Sequence, residues 1–153
     1  MATTVLVADD DAEVRAFLAA LLAEEGYAVV QAADGASALE HLRQHPMGLV
    51  VLLDLHMPNV SGFDVLHAVD ADAALSRRHA YIVLSSARRG ELPPDFLPLV
   101  ARHDIPIYAK PCDLVTLVSA VAVAAERLAG GARPEFARDL AAPATVQRKY
   151  PGR

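Results

Sequence analysis

Two short apolar segments of this chain each end in carboxylates. Residues 49–53 are all apolar, and Asp54 closes the run. Residues 5–8 form a second apolar run, and three acids follow it directly: Asp9, Asp10 and Asp11. Runs this short and apolar are typical of strands buried on both faces, where a carboxylate adds nothing to packing. Ligands bind beyond the carboxyl ends of parallel strands, so neighbouring strands would bring these acids together. Such a cluster repels itself unless it holds a cation or takes up protons.

The single lysine of residues 1–130 is the second candidate for chemistry. The chain has twelve arginines but only two lysines, Lys110 and Lys149, and Lys110 is followed by Pro111. Arginine presents a wide planar fork, whereas lysine carries a compact point charge on a flexible stem. A chain that uses arginine almost everywhere else is predicted to need the compact ammonium group of Lys110 at its position.

The elements that position these residues follow from the apolar pattern. Five strand-like runs lie near residues 4–8, 28–31, 49–54, 80–84 and 105–109. Segments with helical spacing separate them. This alternation predicts an α/β fold made of βαβ units, with a parallel sheet and right-handed crossovers.

The helices are predicted from apolar spacing and capping residues. The first should bury one stripe of five residues: Val14, Phe17, Leu18, Leu21 and Leu22. The third should begin near Gly62 and carry Phe63, Leu66 and Val69, with Leu75 as a further candidate for its apolar face. The fourth should be short, starting at Asp95, because three prolines interrupt it. The last should begin after Asp113 as N-cap, with Leu114 opening its buried stripe. Outside that stripe, three apolar residues form a candidate homodimer patch: Val115, Ala122 and Val123.

Length and charge suggest one folded domain over residues 1–130 and a flexible basic tail over residues 131–153. The tail has five basic and two acidic residues, whereas residues 1–130 have nine basic and seventeen acidic ones. An acidic body argues against a nucleic-acid surface. Neither a membrane span nor a signal peptide is apparent, and a single cysteine excludes an intrachain disulfide, so we expect a cytoplasmic protein.

Four motifs, taken in order, resemble the receiver domain of two-component response regulators. They are residues 5–11, residues 54–58 with Gly62, Ser85 at the end of an apolar run, and Lys110 with Pro111. The resemblance covers about residues 4–128. It implies a flavodoxin-like (βα)5 doubly wound parallel sheet with strand order 2-1-3-4-5.

The resemblance also implies a chemistry. Asp54 would accept a phosphoryl group from a sensor histidine kinase or a histidine phosphotransfer protein. Mg²⁺ would be bound by Asp10, by Asp54 and by the backbone carbonyl of His56, with Asp9 acting mostly through water. Lys110 would pair with a phosphoryl oxygen, and Ser85 would donate a hydrogen bond to another. The Lys110–Pro111 bond would be cis.

The resemblance further implies what the protein does with the phosphoryl group. A stand-alone receiver of this kind is not an enzyme in the usual sense, since it catalyses only its own phosphorylation and dephosphorylation. We expect it to signal to a downstream protein partner through protein contacts.

Two departures from the family pattern concern the switch. The family usually has an aromatic residue three before the lysine, where this chain has Ile107. The aromatic residue is Tyr108 instead, and strand alternation places it on the opposite face. Cys112 replaces the usual aromatic after the Lys-Pro pair.

Other interpretations of the same residues stay open. Each acid alone fits a helix cap or a turn, and Ser85 alone fits the start of a polar loop. A receiver-like interaction module that is not phosphorylated, or a phosphatase with an aspartyl nucleophile, would also use parts of this pattern. The phosphatase is disfavoured, because His56 stands where such enzymes carry a second aspartate.

Overall fold

The computed structural model describes residues 2–130, apart from the side chain of Arg89, so the predicted tail 131–153 lies outside the described residues. Five strands are present: β1 (Thr4–Ala8), β2 (Ala28–Ala32), β3 (Leu49–Asp54), β4 (Ala80–Ser85) and β5 (Ile107–Ala109). Helices alternate with them: α1 (Ala12–Glu24), α2 (Gly35–Gln44), α3 (Gly62–Ala71), α4 (Ala73–Arg78), α5 (Phe96–Arg102) and α6 (Leu114–Gly130). A 3₁₀ turn spans Arg89–Glu91.

The strands form one parallel sheet in the order β2-β1-β3-β4-β5, which confirms the predicted α/β fold and strand order. The chain moves outward from β1 to β2 and then returns to the other side of β1 to form β3. The strand order therefore reverses between β1 and β3, and ligands bind beyond the strand ends at such a reversal.

Alternating side chains of β3 enter two apolar layers, because successive residues of a strand point to opposite faces. Leu49, Val51 and Leu53 pack with α2, α3 and α5, whereas Val50 and Leu52 pack with α1 and α6. All six residues of β3 are buried, as the apolar run predicted. The two layers bury the central strands from both sides and leave the strand ends to carry the polar groups.

Two helix predictions need correction. Phe17 is 54% exposed, because the buried face of α1 is centred on Leu18 and Leu22 and Phe17 points away from it. The third helix does not continue to Leu75. It ends at Asp72, whose backbone is extended (φ −127°, ψ 104°) and whose side chain accepts a hydrogen bond from Ala74 N–H to begin the separate helix α4.

The end of the chain departs from the predictions in smaller ways. Leu114 is 40% exposed, so the buried face of α6 is set by Leu117 and Val121 instead. The last strand begins at Ile107 rather than at residue 105, because Pro106 has no N–H to donate to the ladder. The fourth predicted helix is short, as expected, and corresponds to α5. Within residues 2–130, no helix is long and apolar enough to cross a membrane.

Candidate functional site

Strand register places the acids at one edge of the sheet. Ala8 of β1 pairs with Leu53 of β3, so Asp9 and Asp54 both follow at the carboxyl ends of neighbouring strands. Asp9 is 2% exposed and Asp54 is 8% exposed, whereas Asp10 lies in the solvent. Carboxylate oxygens of these three residues lie within 4.8 Å of one another. The convergence predicted for the acids of β1 and β3 is therefore present in the fold.

Lys110 reaches this cluster from the end of β5. Its Nζ donates a hydrogen bond of 2.7 Å to Oδ2 of Asp9 and lies 3.4 Å from Oδ2 of Asp54. The backbone N–H of Lys110 donates to the carbonyl of Ser85 at 3.0 Å, and the bond to Pro111 is cis. One ammonium group thus stands between two largely buried carboxylates.

Burial and charge shift the pKa of both groups. Burial is the main cause that raises the pKa of the Asp54 carboxyl above its ordinary value; Lys110 partly offsets it, and the charge of Asp9 adds to it. Burial alone would lower the pKa of the Lys110 ammonium, but its hydrogen bond to Asp9 and the charges of Asp54 and Asp9 raise it. Lys110 therefore stays charged, while Asp54 holds its negative charge less readily than an ordinary carboxylate.

A glycine brings α3 close to the end of β3. The N–H of Gly62 donates to the carbonyl of Leu55 at 2.9 Å. A Cβ added to Gly62 would lie 2.3 Å from the carbonyl oxygen of Asp54, far inside van der Waals contact. Only glycine lets α3 begin this close to Asp54. The backbone N–H of His56 also donates to Oδ1 of Asp54, at 3.3 Å, and turns the loop under the carboxylate.

Ser85 ends β4, beside β3. It is fully buried, and its Oγ accepts a hydrogen bond of 3.0 Å from the N–H of Ala87. Asp54 pairs with Leu84, the residue before Ser85, so the serine lies at the same edge of the sheet as the acids.

The two switch candidates lie on opposite faces of the sheet. Ile107 belongs to the layer with α2, α3 and α5, and Tyr108 to the layer with α1 and α6. Both side chains are buried. Tyr108 therefore does not take the place of the ring that the family pattern puts at position 107.

Comparison with known proteins identifies the family and the fold. The model of the response regulator receiver domain matches residues 5–122. This chain belongs to the response regulator receiver domain family.

The receiver domain is 48% identical over 66 residues to response regulator RR06 of Streptococcus pneumoniae, a match that covers 43% of this chain and 30% of that protein. It is 34% identical over 89 residues to response regulator GtcR of Aneurinibacillus migulanus, which covers 58% of this chain and 35% of GtcR. The chain thus spans about a third of the length of these curated relatives.

Solved structures show the same architecture. A CheY-like receiver domain protein from Methanospirillum hungatei has a TM-score of 0.66 and 25% identity, covering 90% of this chain and 98% of that one. A response regulator receiver protein from Pseudomonas putida has a TM-score of 0.64 and 27% identity, covering 80% and 97%. The receiver domain therefore shares its fold with proteins of the same family.

One residue at the site was missed by the sequence analysis. Arg15, on the first turn of α1, donates from its guanidinium to the carbonyl of Asp9 at 2.7 Å. The apolar spacing of α1 predicts its buried stripe and says nothing about the contacts of its polar face. The signal that was present is the position of Arg15, one helical turn after Asp11 and the first basic residue after the acid run.

Proposed function

We propose that Asp54 is the phosphoacceptor of this receiver domain in a two-component or phosphorelay pathway. Its donor would be a sensor histidine kinase or a histidine phosphotransfer protein. One observation carries the proposal: oxygens of Asp9, Asp10 and Asp54 lie within 4.8 Å of one another, and Lys110 stands 3.4 Å from Asp54. A strand-end carboxylate between an acid pair and a lysine is suited to accept a phosphoryl group, because the charges of both reactants can be neutralised there.

The donor set fits Mg²⁺. The converging groups are all carboxylate oxygens, and Mg²⁺ prefers hard oxygen ligands while keeping several waters. Asp10 and Asp54 would bind the ion directly, Asp9 would act mostly through water, and the His56 carbonyl would be a further ligand. The ion would supply positive charge where the anionic phosphoryl group approaches the anionic carboxylate.

The transfer forms one bond and breaks another. A carboxylate oxygen of Asp54 bonds to phosphorus while the P–N bond of the donor histidine breaks, and the imidazole nitrogen keeps the electron pair and takes up a proton from solvent. Lys110 would then pair with a phosphoryl oxygen, a short movement from its position between Asp9 and Asp54. The hydroxyl of Ser85 would turn from Ala87 to donate to another phosphoryl oxygen.

The new charge would provide the signal. A phosphoryl group carries roughly −1.5 to −2 charge, and because it replaces the charge of the Asp54 carboxylate, the strand ends gain up to about −1. That gain can bias loops and surfaces that have two arrangements. A downstream protein partner would read that change or receive the phosphoryl group itself.

Incubation with Mg²⁺ and acetyl phosphate, followed by intact-protein mass spectrometry, tests the proposal. We expect the wild type to gain the mass of one phosphoryl group and Asp54→Asn to gain none. Asp70→Asn is the matched control, since it removes an exposed carboxylate on the last turn of α3 and should be phosphorylated like the wild type.

Two outcomes would replace the proposal. No mass gain in the wild type would favour an interaction module that is not phosphorylated. Continuous turnover of a generic phosphate ester that is lost in Asp54→Asn would favour a phosphatase.

A further inference from the structure

The Arg15 side chain spans the loop that carries the acids. From the first turn of α1, its guanidinium donates 2.7 Å to the carbonyl oxygen of Asp9. The Nε of the same side chain donates 3.3 Å to Oε1 of Gln31 on β2. The β1–α1 loop is thereby tied to the neighbouring strand through one planar group with fixed donor directions.

Asp9 is held at each of its polar atoms. Its N–H donates to the carbonyl of Ala32 at 3.1 Å, and its own carbonyl accepts from Arg15. Its Oδ1 accepts from the N–H of Asp11 at 2.9 Å, and its Oδ2 accepts from Lys110 at 2.7 Å. The orientation of Asp9 is therefore fixed before any ion binds.

Asp10 differs from its neighbour. Its side chain is exposed and, within residues 2–130, accepts no hydrogen bond. What directs it is the peptide unit that joins it to Asp9, because the Asp9 carbonyl and the Asp10 N–H belong to one plane. A contact that holds the Asp9 carbonyl also fixes the rotation of that plane, and with it the point from which the Asp10 side chain starts.

We propose that Arg15 is a positioning residue of the acid site, which holds the Asp9–Asp10 peptide so that the Asp10 carboxylate faces the Mg²⁺ position. The inference rests on the proposed function and adds a residue to it. Arg15 touches neither the ion nor the phosphoryl group; it acts through the backbone of Asp9. Outer partners of this kind orient metal ligands, and their loss weakens metal binding.

A positioning role for Arg15 and a purely electrostatic role predict opposite changes in Mg²⁺ affinity when Arg15 is removed. If Arg15 acted only as a nearby positive charge, its removal would strengthen Mg²⁺ binding, because a cation that repels the ion would be gone. If it positions Asp10, its removal weakens binding, although the site becomes more negative. The sign of the change therefore separates the two roles.

The test measures Mg²⁺ dissociation constants by isothermal titration calorimetry on the full chain at 25 °C. We expect binding by Arg15→Gln to be about tenfold weaker than by the wild type. Gln31→Leu keeps the charge of Arg15 and removes the hydrogen bond between Arg15 and Gln31, so we expect Mg²⁺ binding about threefold weaker than by the wild type. Arg43→Gln removes an exposed positive charge from the last turn of α2 and should match the wild type.

A second measurement excludes a merely structural role. Urea unfolding in EDTA reports the stability of the metal-free fold, and a structural arginine would lower it without changing the Mg²⁺ affinity of the folded protein. Equal or tighter Mg²⁺ binding by Arg15→Gln, beside a wild type that binds the ion, would overturn this inference alone. A wild type that binds no Mg²⁺ would overturn the proposed function and this inference with it.

Discussion

The Lys110 ammonium group is anchored on Asp9, to which it donates a hydrogen bond of 2.7 Å. The oxygens of Asp54 stand farther away, at 3.4 Å for the nearer one. Lysine therefore serves as the internal counter-ion of a largely buried carboxylate pair. An incoming divalent cation would share these carboxylates with it, so we expect lysine and metal to oppose one another.

Lys110→Met should lower the stability of the metal-free protein and raise its affinity for Mg²⁺. Without Mg²⁺, the free energy of unfolding should fall by about 1–3 kcal/mol, because Asp9 is left buried without its partner. Mg²⁺ should bind more tightly than to the wild type, since a repelling cation is gone. Urea unfolding in EDTA and calorimetric titration measure the two quantities. Weaker Mg²⁺ binding in a folded Lys110→Met protein would contradict the arrangement described above.

Gly62→Ala tests the close approach of α3 to the end of β3. The added Cβ would lie 2.3 Å from the Asp54 carbonyl oxygen, and the backbone must move to relieve the clash. We expect a loss of about 3 kcal/mol in the free energy of unfolding and slower phosphorylation by acetyl phosphate. Gly90→Ala is the control, since nothing lies within 4 Å of its added Cβ. Equal losses in both variants would show that the contact at Gly62 is unimportant.

His79 should make stability depend on pH. Its ring is 4% exposed; Nδ1 accepts from the N–H of Leu49 at 2.9 Å, and Nε2 donates to the carbonyl of Leu42 at 2.8 Å. Both contacts suit the neutral ring. Burial is the main cause that lowers the pKa of His79 below its ordinary value of 6.5, although the hydrogen bond to Leu42 opposes it.

Because the pKa of His79 is lowered in the folded state, the protein should lose stability as the pH falls. Below pH 6.5, His79 binds a proton in the unfolded chain but stays neutral in the folded protein. The contribution of His79 to the free energy of unfolding is therefore complete above pH 6.5 and is lost as the pH falls toward the folded pKa. The slope is at most about 1.4 kcal/mol per pH unit for one proton. Urea midpoints between pH 7.5 and 5.5 should therefore fall more for the wild type than for His79→Gln. Parallel curves for the two proteins would refute the assignment.

The ion pairs between α3 and the α5 region should limit local unfolding of α5. Asp70 near the end of α3 accepts from His103 at 2.7 Å and from Arg102 at 3.0 Å, and Asp95 pairs with His67 at 3.3 Å. These pairs are exposed, so they should add little to global stability. Asp70→Asn should instead speed hydrogen exchange of the amides in α5 while the urea midpoint barely moves. Unchanged exchange in residues 96–102 would rule out this role.

The strands and the acid cluster could be predicted because their signals are local. A fully apolar run such as residues 49–53 has one stable environment, and Asp54 at its end has no packing role. The order of the strands was supplied by the family resemblance, since apolar periodicity alone does not say which strands are neighbours. Apolar spacing did not predict the break between α3 and α4, because the side chain of Asp72 caps a new helix there. It also placed Phe17 in the buried stripe of α1, because spacing shows which residues share a face but not which of them lie at its centre.

The contacts of Arg15 and His79 could not be predicted from spacing. Both side chains bind backbone carbonyls, that of Asp9 for Arg15 and that of Leu42 for His79. Any residue has a carbonyl, so nothing in the sequence marks these partners. Such contacts become visible only when the fold places the donor beside the acceptor.

Two buried polar centres, His79 and the Asp9–Asp54 pair, lie at opposite ends of β3. The N–H of Leu49 binds His79 at the first residue of the strand, and Asp54 is the last, about 17 Å away for a strand of this length. Sites this far apart with no shared partner contribute independently to the energy of a protein. Substitutions at His79 should therefore change the thermal stability of this domain and leave the energetics of the acid cluster at the far end of β3 unchanged.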